Sequence, residues 1–563
     1  MYPSIQNRLP RSIAGLVGVI GLVGMLQGCD TQVDTPEKAA AKISELVTNS
    51  VQPSFRENQV RANIQLTQTN LLSMLPDLQE YPISLNARDD SRTEVVEIFT
   101  SSEKAGTGRD GFYIELAEEF NRQRNTINSG KQARVAIRKI ASGLGAQFML
   151  ARRYTPDAFS PSNFLWAKLL DANGIRLETI AEVTAPNTAG IIVKKSKKEL
   201  ITTDGKLDIA KLLTNVSGGN FSMGYTNPYQ SSTGLNFLLT VLNSFAEGDE
   251  TQMLSPDVAS AFEAFQAGVP FVAQNTLQMR DAAQGSGVLD ALVMEHQSWV
   301  NVTGMNDYEF IPFGIRHDSP LYATPEADPD EREVLKLFAR FIQSQQSAVA
   351  NFGFGRQSSY QNAYQLSDST IIGQAQKIWK QKKSGGRPIA AVFVADISGS
   401  MEGTRIKNLK RAMVESSDLI SSTNSIGLVT YSEQVNVDLM IRPFDVQQKA
   451  LFNGAVGRLR TGGKTATNNA VLVAAEQLLE YGKTNPDHKK VIFLLSDGET
   501  NRGLDFTEVE KALEWSGIPI HAIAYELKSD HLKSLASLAE GAYIESSAGS
   551  ASYRIGNLLN SEM

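Results

Sequence analysis

The chain has 563 residues, of which 42% are hydrophobic and 20% are charged, a composition typical of a folded protein with several domains. Its 54 Lys and Arg residues against 61 Asp and Glu residues give a formal net charge of −7. This acidic balance argues against a nucleic-acid surface as the main role of the protein, so no nucleic-acid partner is expected.

The first 29 residues carry a targeting signal. Arg8 and Arg11 precede the uncharged apolar run 13–26, which is too short to span a bilayer but suits the apolar part of a signal peptide. The run leads into the sequence LQGC, which ends at Cys29 and resembles the lipobox of bacterial lipoproteins. Cys29 is the single cysteine of the chain, so an internal disulfide is excluded.

The lipobox resemblance implies that residues 1–28 are removed and that Cys29 is acylated. The mature protein would then be anchored by lipid to a bacterial membrane, facing the periplasm or the exterior. Asp30 follows the cysteine, and in enterobacterial lipoproteins, which this segment resembles, that residue favours the inner membrane. The alternative is an ordinary signal peptide that happens to contain a cysteine. Residues 29–92 are mostly polar and predict a tether with some helix.

From residue 93 the pattern becomes that of an α/β domain. Residues 95–99 predict a strand, residues 100–109 a polar turn, and the stretch GFYIELAEEFNRQ has the apolar period of a helix. Further strand, loop and helix units follow up to residue 380, among them FSMGYTNPYQSSTGLNFLLTVLNSF. Strands that alternate with helices indicate parallel sheets with helices packed on them.

Residues 93–380 resemble the extracellular solute-binding proteins of the periplasmic, two-lobed kind, on stretches such as PDAFSPSNFLWAKLL and ALVMEHQSW. The resemblance implies a cleft between two lobes in which hydroxyls and helix N-termini hold a small solute, often an anion. The ligand-binding residues implied by position are Ser101, Ser102, Ser160, Ser162, Ser231, Ser232, Thr233, Glu295 and Trp299. The alternatives are helix N-caps for the serines, an arginine partner for Glu295 and packing for Trp299.

Residues 381–387, QKKSGGR, predict a linker to a C-terminal domain at 388–563. Its predicted strands are 388–395, 425–431, 490–495 and 518–525. Its predicted helices are 405–420, 467–481 and 507–515. The strands are apolar almost without a break, which indicates a doubly wound parallel sheet covered on both faces.

Polar residues occupy three loops of this predicted domain, of which two follow strands and the third, between them in sequence, leads into a helix. They are Asp396, Ser398, Ser400, Thr465 and Asp497. Ligands bind outside the carboxyl ends of parallel strands, where these side chains would meet. All five offer hard oxygen donors, with no His or Cys nearby, which suits Mg²⁺, Ca²⁺ or Mn²⁺ and argues against zinc.

The stretches DISGS, GGKTATNNAV and SDGET resemble the three loops of the von Willebrand factor A domain that form its metal-ion-dependent adhesion site. The resemblance implies that the five residues above bind a divalent cation, with Mg²⁺ as the first candidate. It also implies a coordination position left open for the carboxylate of an acidic protein partner. The alternative is a set of merely polar strand ends. GGKTAT also resembles a phosphate-binding loop, but Arg458 stands where that motif needs glycine.

These features together predict a membrane-anchored, extracytoplasmic binding lipoprotein. Its C-terminal domain would dock a protein partner through the cation, coupled to the solute-binding module. An enzyme is not expected, because the sequence contains no HExxH motif and no GxSxG elbow. The alternatives are the substrate-binding component of a membrane transporter and a non-catalytic subunit of an enzyme complex.

Overall fold

The structure, a computed structural model, describes residues 33–63, 71–87, 90–273, 276, 278–280, 289–355, 359–383, 385–498, 500–539, 541–547 and 550–562. The predicted signal peptide, Cys29 and Asp30 lie outside the described residues. Sheets of six, five and seven strands carry the described part of the fold. None of the helices in these ranges is both long and apolar enough to cross a bilayer.

The first lobe of the predicted binding module is built on the six-stranded sheet. Its central strand, Thr93–Thr100, runs parallel to both of its neighbours, and its residues Val96 and Ile98 are fully buried against Phe112 and the helix Pro329–Ser344. In spatial order the strands are Ile83–Leu85, Gln132–Lys139, Thr93–Thr100, Ala158–Ser160, Leu321–Ala323 and Glu178–Ala181. The α-helices of this lobe are Phe112–Gln123, Ser142–Leu150, Leu165–Ala172, Pro329–Ser344 and Gln346–Asn351.

The second lobe is built on the five-stranded sheet. In spatial order its strands are Phe271–Ala273, Met223–Thr226, Ala291–Glu295, Thr188–Lys194 and Tyr308–Arg316. Its helices include Ile209–Ser217, Ser232–Phe245, Pro256–Ala267, His296–Val300 and Thr370–Lys382. The chain passes between the two sheets at 182–187 and again at 317–320. The predicted two-lobed α/β architecture is therefore confirmed.

The two lobes touch each other across the cleft. The guanidinium of Arg280 in the second lobe lies 3.0 Å from a carboxylate oxygen of Asp110 in the first. The backbone N–H of Gly143 in the first lobe donates to the carbonyl of Gln230 in the second, over 3.2 Å. A Cβ at position 143 would lie 2.1 Å from the carbonyl oxygen of Tyr229, so glycine is required for this approach. The cleft between the two lobes is therefore closed in this structure.

The C-terminal domain is a seven-stranded sheet with helices on both faces. Along the strand Ile389–Asp396, Val392 and Val394 pack into one core, whereas Ala391 and Phe393 pack into another on the opposite face. In spatial order the strands are Ser54–Phe55, Val435–Pro443, Ser425–Tyr431, Ile389–Asp396, Lys489–Ser496, Ile520–Tyr525 and Tyr543–Ser546. The helices of residues 404–562 are Thr404–Ser417, Val446–Gly457, Thr467–Thr484, Phe506–Ser516, Asp530–Ser537 and Ala551–Glu562. The predicted doubly wound fold is confirmed.

The sheet is parallel except for one pair of neighbouring strands. Val435–Pro443 runs antiparallel to Ser425–Tyr431. Val435–Pro443 is absent from the predicted strands because it is not a continuous apolar run. Val435, Val437 and Leu439 alternate with more polar residues, which is the pattern of a strand near the edge of a sheet with one covered face.

The predicted tether over 29–92 differs from the structure, because much of its described part is packed on the C-terminal domain. The helix Pro36–Leu46 buries Ile43 completely among the apolar residues of that domain. Ser54–Phe55 then adds a parallel edge strand beside Val435–Pro443. A narrow apolar stripe on the helix is sufficient to dock it on the C-terminal domain. The polar composition of the segment as a whole did not predict this contact.

Replacing Ile43 with alanine is expected to lower the free energy of unfolding of the C-terminal domain by about 2–4 kcal/mol, because a fully buried side chain leaves a cavity. Chemical denaturation of the full chain measures this. Glu37→Ala, an exposed position on the same helix, serves as the control. A free tether would leave Ile43→Ala and Glu37→Ala equally stable, and that result would contradict the observed docking.

The last helix, Ala551–Glu562, joins the C-terminal domain to both lobes of the binding module. The buried Tyr553 hydroxyl donates to Gln147 Oε1 of the first lobe, and accepts from Gln230 Nε2 of the second lobe, each over 2.9 Å. The predicted linker 381–387 begins within a helix, and the buried Lys383 donates to the carbonyl of Leu559. The two modules are therefore held together by specific contacts as well as by the chain.

Candidate metal centre and interlobe cavity

The candidate metal centre lies at the carboxyl ends of the central strands of the C-terminal sheet. Asp396 ends its strand and is fully buried. One of its carboxylate oxygens accepts from the backbone N–H of Ser398 over 2.8 Å, and the other accepts from the Ser496 hydroxyl over 2.7 Å. Burial raises the pKa of the Asp396 carboxyl, whereas the hydrogen bonds from Ser496 and Ser398 lower it. These donors fix the orientation of the carboxylate.

Three loops meet around this carboxylate. Gly399 N–H donates to the carbonyl of Gly463 over 3.0 Å, which joins the first loop to the second. The N–H of Thr465 donates to Asn501 Oδ1 over 2.9 Å, which joins the second loop to the third. The hydroxyl oxygens of Ser398 and Ser400 lie 3.0 Å apart. The structure thus brings the three loops that carry the five predicted residues together at one edge of the sheet.

Asp497 provides the test of whether a cation fits this centre. Its side chain is fully buried, and its Oδ1 atom has no hydrogen-bond partner among the described residues. Its other carboxylate oxygen lies 3.3 Å from Nη1 of Arg405. A buried carboxylate oxygen without a donor is costly, and a divalent cation would remove that cost. The residues present therefore fit a bound cation.

The donor set also indicates which cations suit the centre. Two carboxylates and three hydroxyls are hard oxygen donors, which Mg²⁺, Ca²⁺ and Mn²⁺ prefer. Within the described ranges, no group of three or more His, Cys, Asp or Glu side chains is placed to share a metal. The sequence analysis missed Ser496, Asn501 and Arg405, although Ser496 directly precedes Asp497 and Arg405 directly follows the first loop.

A second candidate site is a cavity of about 50 Å³ between the two lobes. It is lined by Ser101, Ser102, Glu103, Ala141, Ser142, Gln230, Ser231, Ser232 and Thr276. Four of the predicted ligand-binding residues are in this set: Ser101, Ser102, Ser231 and Ser232. The other polar residues of the lining were not predicted: Glu103, Ser142, Gln230 and Thr276. Of these, Ser142 could have been found from the sequence, because it begins a helix.

Two helix N-termini open into the cavity. The helices Ser142–Leu150 and Ser232–Phe245 both begin there, and neither has a side-chain hydrogen bond from its N-cap residue. Ser142 and Thr276 are 4% and 6% exposed, and neither hydroxyl has a hydrogen-bond partner among the residues that the structure describes. Hydroxyls at two positive helix ends are suited to hold a small anion.

The predicted Ser160 and Ser162 lie behind the cavity wall. The Ser160 hydroxyl accepts from the Tyr113 hydroxyl over 2.9 Å, and its carbonyl accepts from Lys104 Nζ over 2.6 Å. The Ser162 hydroxyl donates to Glu103 over 2.7 Å. Burial lowers the pKa of the Lys104 ammonium to about 8, and burial followed by the charge of Glu295 raises the pKa of Glu103. Both serines thus support charged groups next to the cavity.

Glu295 is engaged within the second lobe and the crossing segments. Its two oxygens accept from His317 Nδ1 over 2.7 Å and from Asn187 Nδ2 over 2.9 Å. The amide nitrogens of Asn163 and Asn236 each lie 3.1 Å from His317 Nε2, and backbone contacts orient both amides. Nε2 of His317 is therefore a hydrogen-bond acceptor. Nδ1 carries the hydrogen and donates the hydrogen bond to Glu295.

The two remaining predicted ligand-binding residues also lie away from the cavity lining. Thr233 is buried, with its hydroxyl 3.5 Å from Glu295. Trp299 stacks on Phe310, with ring centroids 5.5 Å apart. A larger cavity of about 470 Å³ lies beside the helix Leu165–Ala172 and the crossing segments, and none of the predicted site residues lines it.

Comparison with known proteins agrees with the C-terminal fold. Residues 391–552 match the family model of the von Willebrand factor type A domain. The uncharacterized protein sll0103 of Synechocystis sp. is 27% identical over 116 residues, which are 21% of this chain and 26% of that protein. This chain therefore matches about a quarter of the length of that relative.

Solved structures are similar to each part of the chain. The von Willebrand factor type A structure from Catenulispora acidiphila covers 31% of this chain and 43% of its own, with 20% identity and a TM-score of 0.29. A periplasmic thiamin binding protein covers 53% of this chain and 99% of its own, with 11% identity and a TM-score of 0.39. The family-model match, by itself, assigns a von Willebrand factor type A domain to residues 391–552.

Proposed function

We propose that the protein is an extracytoplasmic binding lipoprotein whose C-terminal domain docks an acidic protein partner through a divalent cation, with Mg²⁺ as the first candidate. The observation that carries this proposal is the buried Oδ1 atom of Asp497, which has no hydrogen-bond partner among the described residues. It lies near Asp396, at the carboxyl ends of the central strands. The residues that would hold the cation are Asp396, Ser398, Ser400, Thr465 and Asp497. A bound cation with an open position attracts a carboxylate from the partner.

The two-lobed module has the role of capturing a small solute. A cavity of about 50 Å³ offers room for roughly three or four water-sized groups, which is the size of a small oxyanion. It is far below the roughly 300 Å³ at which pockets for drug-sized ligands begin. The helix N-termini and the free hydroxyls of Ser142 and Thr276 supply donors for such an anion.

The anchor and the coupling complete the proposal. Acylation of Cys29 would hold the protein on the outer side of a bacterial membrane, with Asp30 favouring the inner membrane. The Tyr553 hydroxyl contacts both lobes from the C-terminal domain, so movement of the lobes on solute binding would reach that domain. Partner capture by Tyr553→Phe tests this coupling, and capture that stays the same with and without solute in both proteins would contradict it.

Partner capture from membranes is the experiment that tests the docking function. Wild-type protein is expected to retain an acidic partner in Mg²⁺ and to release it with a chelator, whereas Asp396→Ala retains none. Asp438→Asn is the matched control, because it alters another largely buried acid of the same domain that hydrogen bonds to Thr430. Chelator-resistant capture, or full capture by Asp396→Ala, would contradict the proposed docking.

A role as the substrate-binding component of a membrane transporter is the second candidate, favoured by the interlobe cavity. The C-terminal domain would then recruit the permease. Loss of solute uptake in cells that lack the protein supports this role, and normal uptake contradicts it. A non-catalytic subunit of an enzyme complex would instead purify with activity that depends on the other subunits.

A further inference from the structure

Arg405 lies directly beside the candidate metal centre. It is in the first turn of the helix Thr404–Ser417, which follows the first loop. Its Nη1 atom donates to the carbonyl of Ser400 over 3.0 Å and to Asp497 Oδ2 over 3.3 Å. Its Nε atom donates to Glu526 over 2.9 Å. The guanidinium therefore bridges a candidate metal ligand and a second carboxylate outside the centre.

Glu526 is held in place by its backbone. It follows the strand Ile520–Tyr525 with a φ angle of 61°, in the left-handed region that residues other than glycine rarely adopt. Its N–H donates to the carbonyl of Ser546 over 2.8 Å. Non-glycine residues in this conformation cluster at functional sites, where the surrounding structure enforces the strain.

We propose that Arg405 sets the affinity of the centre for its cation by acting as an internal counter-ion of Asp497, and that Glu526 limits this competition by holding the same guanidinium. This inference rests on the proposed metal site. A buried carboxylate needs a nearby positive charge, and Arg405 supplies one to Asp497 when no cation is bound. The same positive charge repels an incoming cation, so the affinity is lower than the oxygen donors alone would produce.

Arg405→Gln is expected to bind Mn²⁺ more tightly than wild type, by about three- to tenfold, because one nearby positive charge is removed. Arg405→Lys keeps the charge and should stay close to wild type. Lys407→Gln removes the same charge from an exposed position of the same helix and controls for the change in net charge. Calorimetric titration of each full-length variant with Mn²⁺ measures the affinities.

Glu526→Gln is expected to weaken Mn²⁺ binding, because Asp497 is then the only carboxylate that contacts the guanidinium. Removing any negative charge near a cation acts in the same direction, so the double variant Arg405→Gln/Glu526→Gln separates the two causes. If Glu526 acts through Arg405, its substitution has a smaller effect in the Arg405→Gln background. An equal effect in both backgrounds would overturn the role assigned to Glu526.

Thermal unfolding provides a second readout, and its measurement without metal does not depend on the affinity for the cation. Without metal, Arg405→Gln should unfold at a lower temperature than Lys407→Gln, and its stabilisation by Mn²⁺ should be larger. If wild type binds Mn²⁺ but Arg405→Gln binds it no more tightly than Lys407→Gln does, the role of Arg405 is overturned. The proposed metal centre would not be contradicted by that result. A wild-type protein that binds no Mn²⁺ would overturn both.

Discussion

Replacing Asp396 with asparagine is expected to lower the affinity of the protein for Mn²⁺ by about a hundredfold or more. Loss of a group that merely orients a metal ligand already costs roughly 10- to 100-fold in metal affinity. Asp396 is one of only two carboxylates among the five proposed ligands, and its orientation is fixed by Ser398 and Ser496. An amide carries no charge, and its NH₂ group cannot accept from either donor.

Electron paramagnetic resonance measures this loss, because free and bound Mn²⁺ differ in signal. Ser400→Ala should have a smaller effect, since it removes a neutral donor and leaves both carboxylates. Asp438→Asn, which changes an acid two strands away in the same sheet, should bind as wild type does. Wild-type affinity in Asp396→Asn, or equal losses in Asp396→Asn and Asp438→Asn, would exclude a specific centre at the sheet edge.

A small oxyanion is expected to stabilise the wild-type binding module, and Ser142→Glu should abolish that stabilisation. A ligand that binds only the folded state adds about 2.7 kcal/mol at roughly 100 times its Kd. Ser142 begins one of the two helices that open into the cavity and lies 4% exposed there. A glutamate at this position would place a negative charge where the helix N-termini favour the anion.

Thermal unfolding in phosphate, in sulfate and in chloride at matched ionic strength measures the effect. Ser260→Glu adds the same charge to an exposed position of the helix Pro256–Ala267 and should respond as wild type does. A specific anion raises the unfolding midpoint of wild type and Ser260→Glu, with no shift in Ser142→Glu. Equal shifts in all three proteins would identify a general salt effect and contradict an anion site in the cavity.

The C-terminal domain was predictable from the sequence because its signals are local. The strand Ser425–Tyr431 has the predicted bounds, and the other three predicted strands of that sheet begin or end within two residues of them. Buried parallel strands are apolar on both faces, so a continuous run such as IAAVFVA predicts them directly. The polar residues that follow Ile389–Asp396 and Lys489–Ser496 predicted two of the loops, and the polar stretch before the helix Thr467–Thr484 predicted the third.

The features that the sequence analysis missed depend on contacts between distant parts of the chain. Ile43 belongs to a narrow apolar stripe, with Ala39 and Leu46, in a segment that is otherwise polar, and only the fold shows that the C-terminal domain covers it. The role of Gln230 depends on Tyr553, which is 323 positions away. Arg405 follows a recognisable motif, but only the fold places Glu526, 121 positions away, beside it. Local patterns contain no information on such pairs, so these residues required the structure.

Calorimetric titration of the full-length protein with Mg²⁺ tests the central claim most directly. We expect saturable binding of one ion per chain in the wild-type protein and no heat of binding in a folded Asp396→Ala variant. Absence of binding in folded wild-type protein, or unchanged binding in Asp396→Ala, would contradict the proposed metal centre.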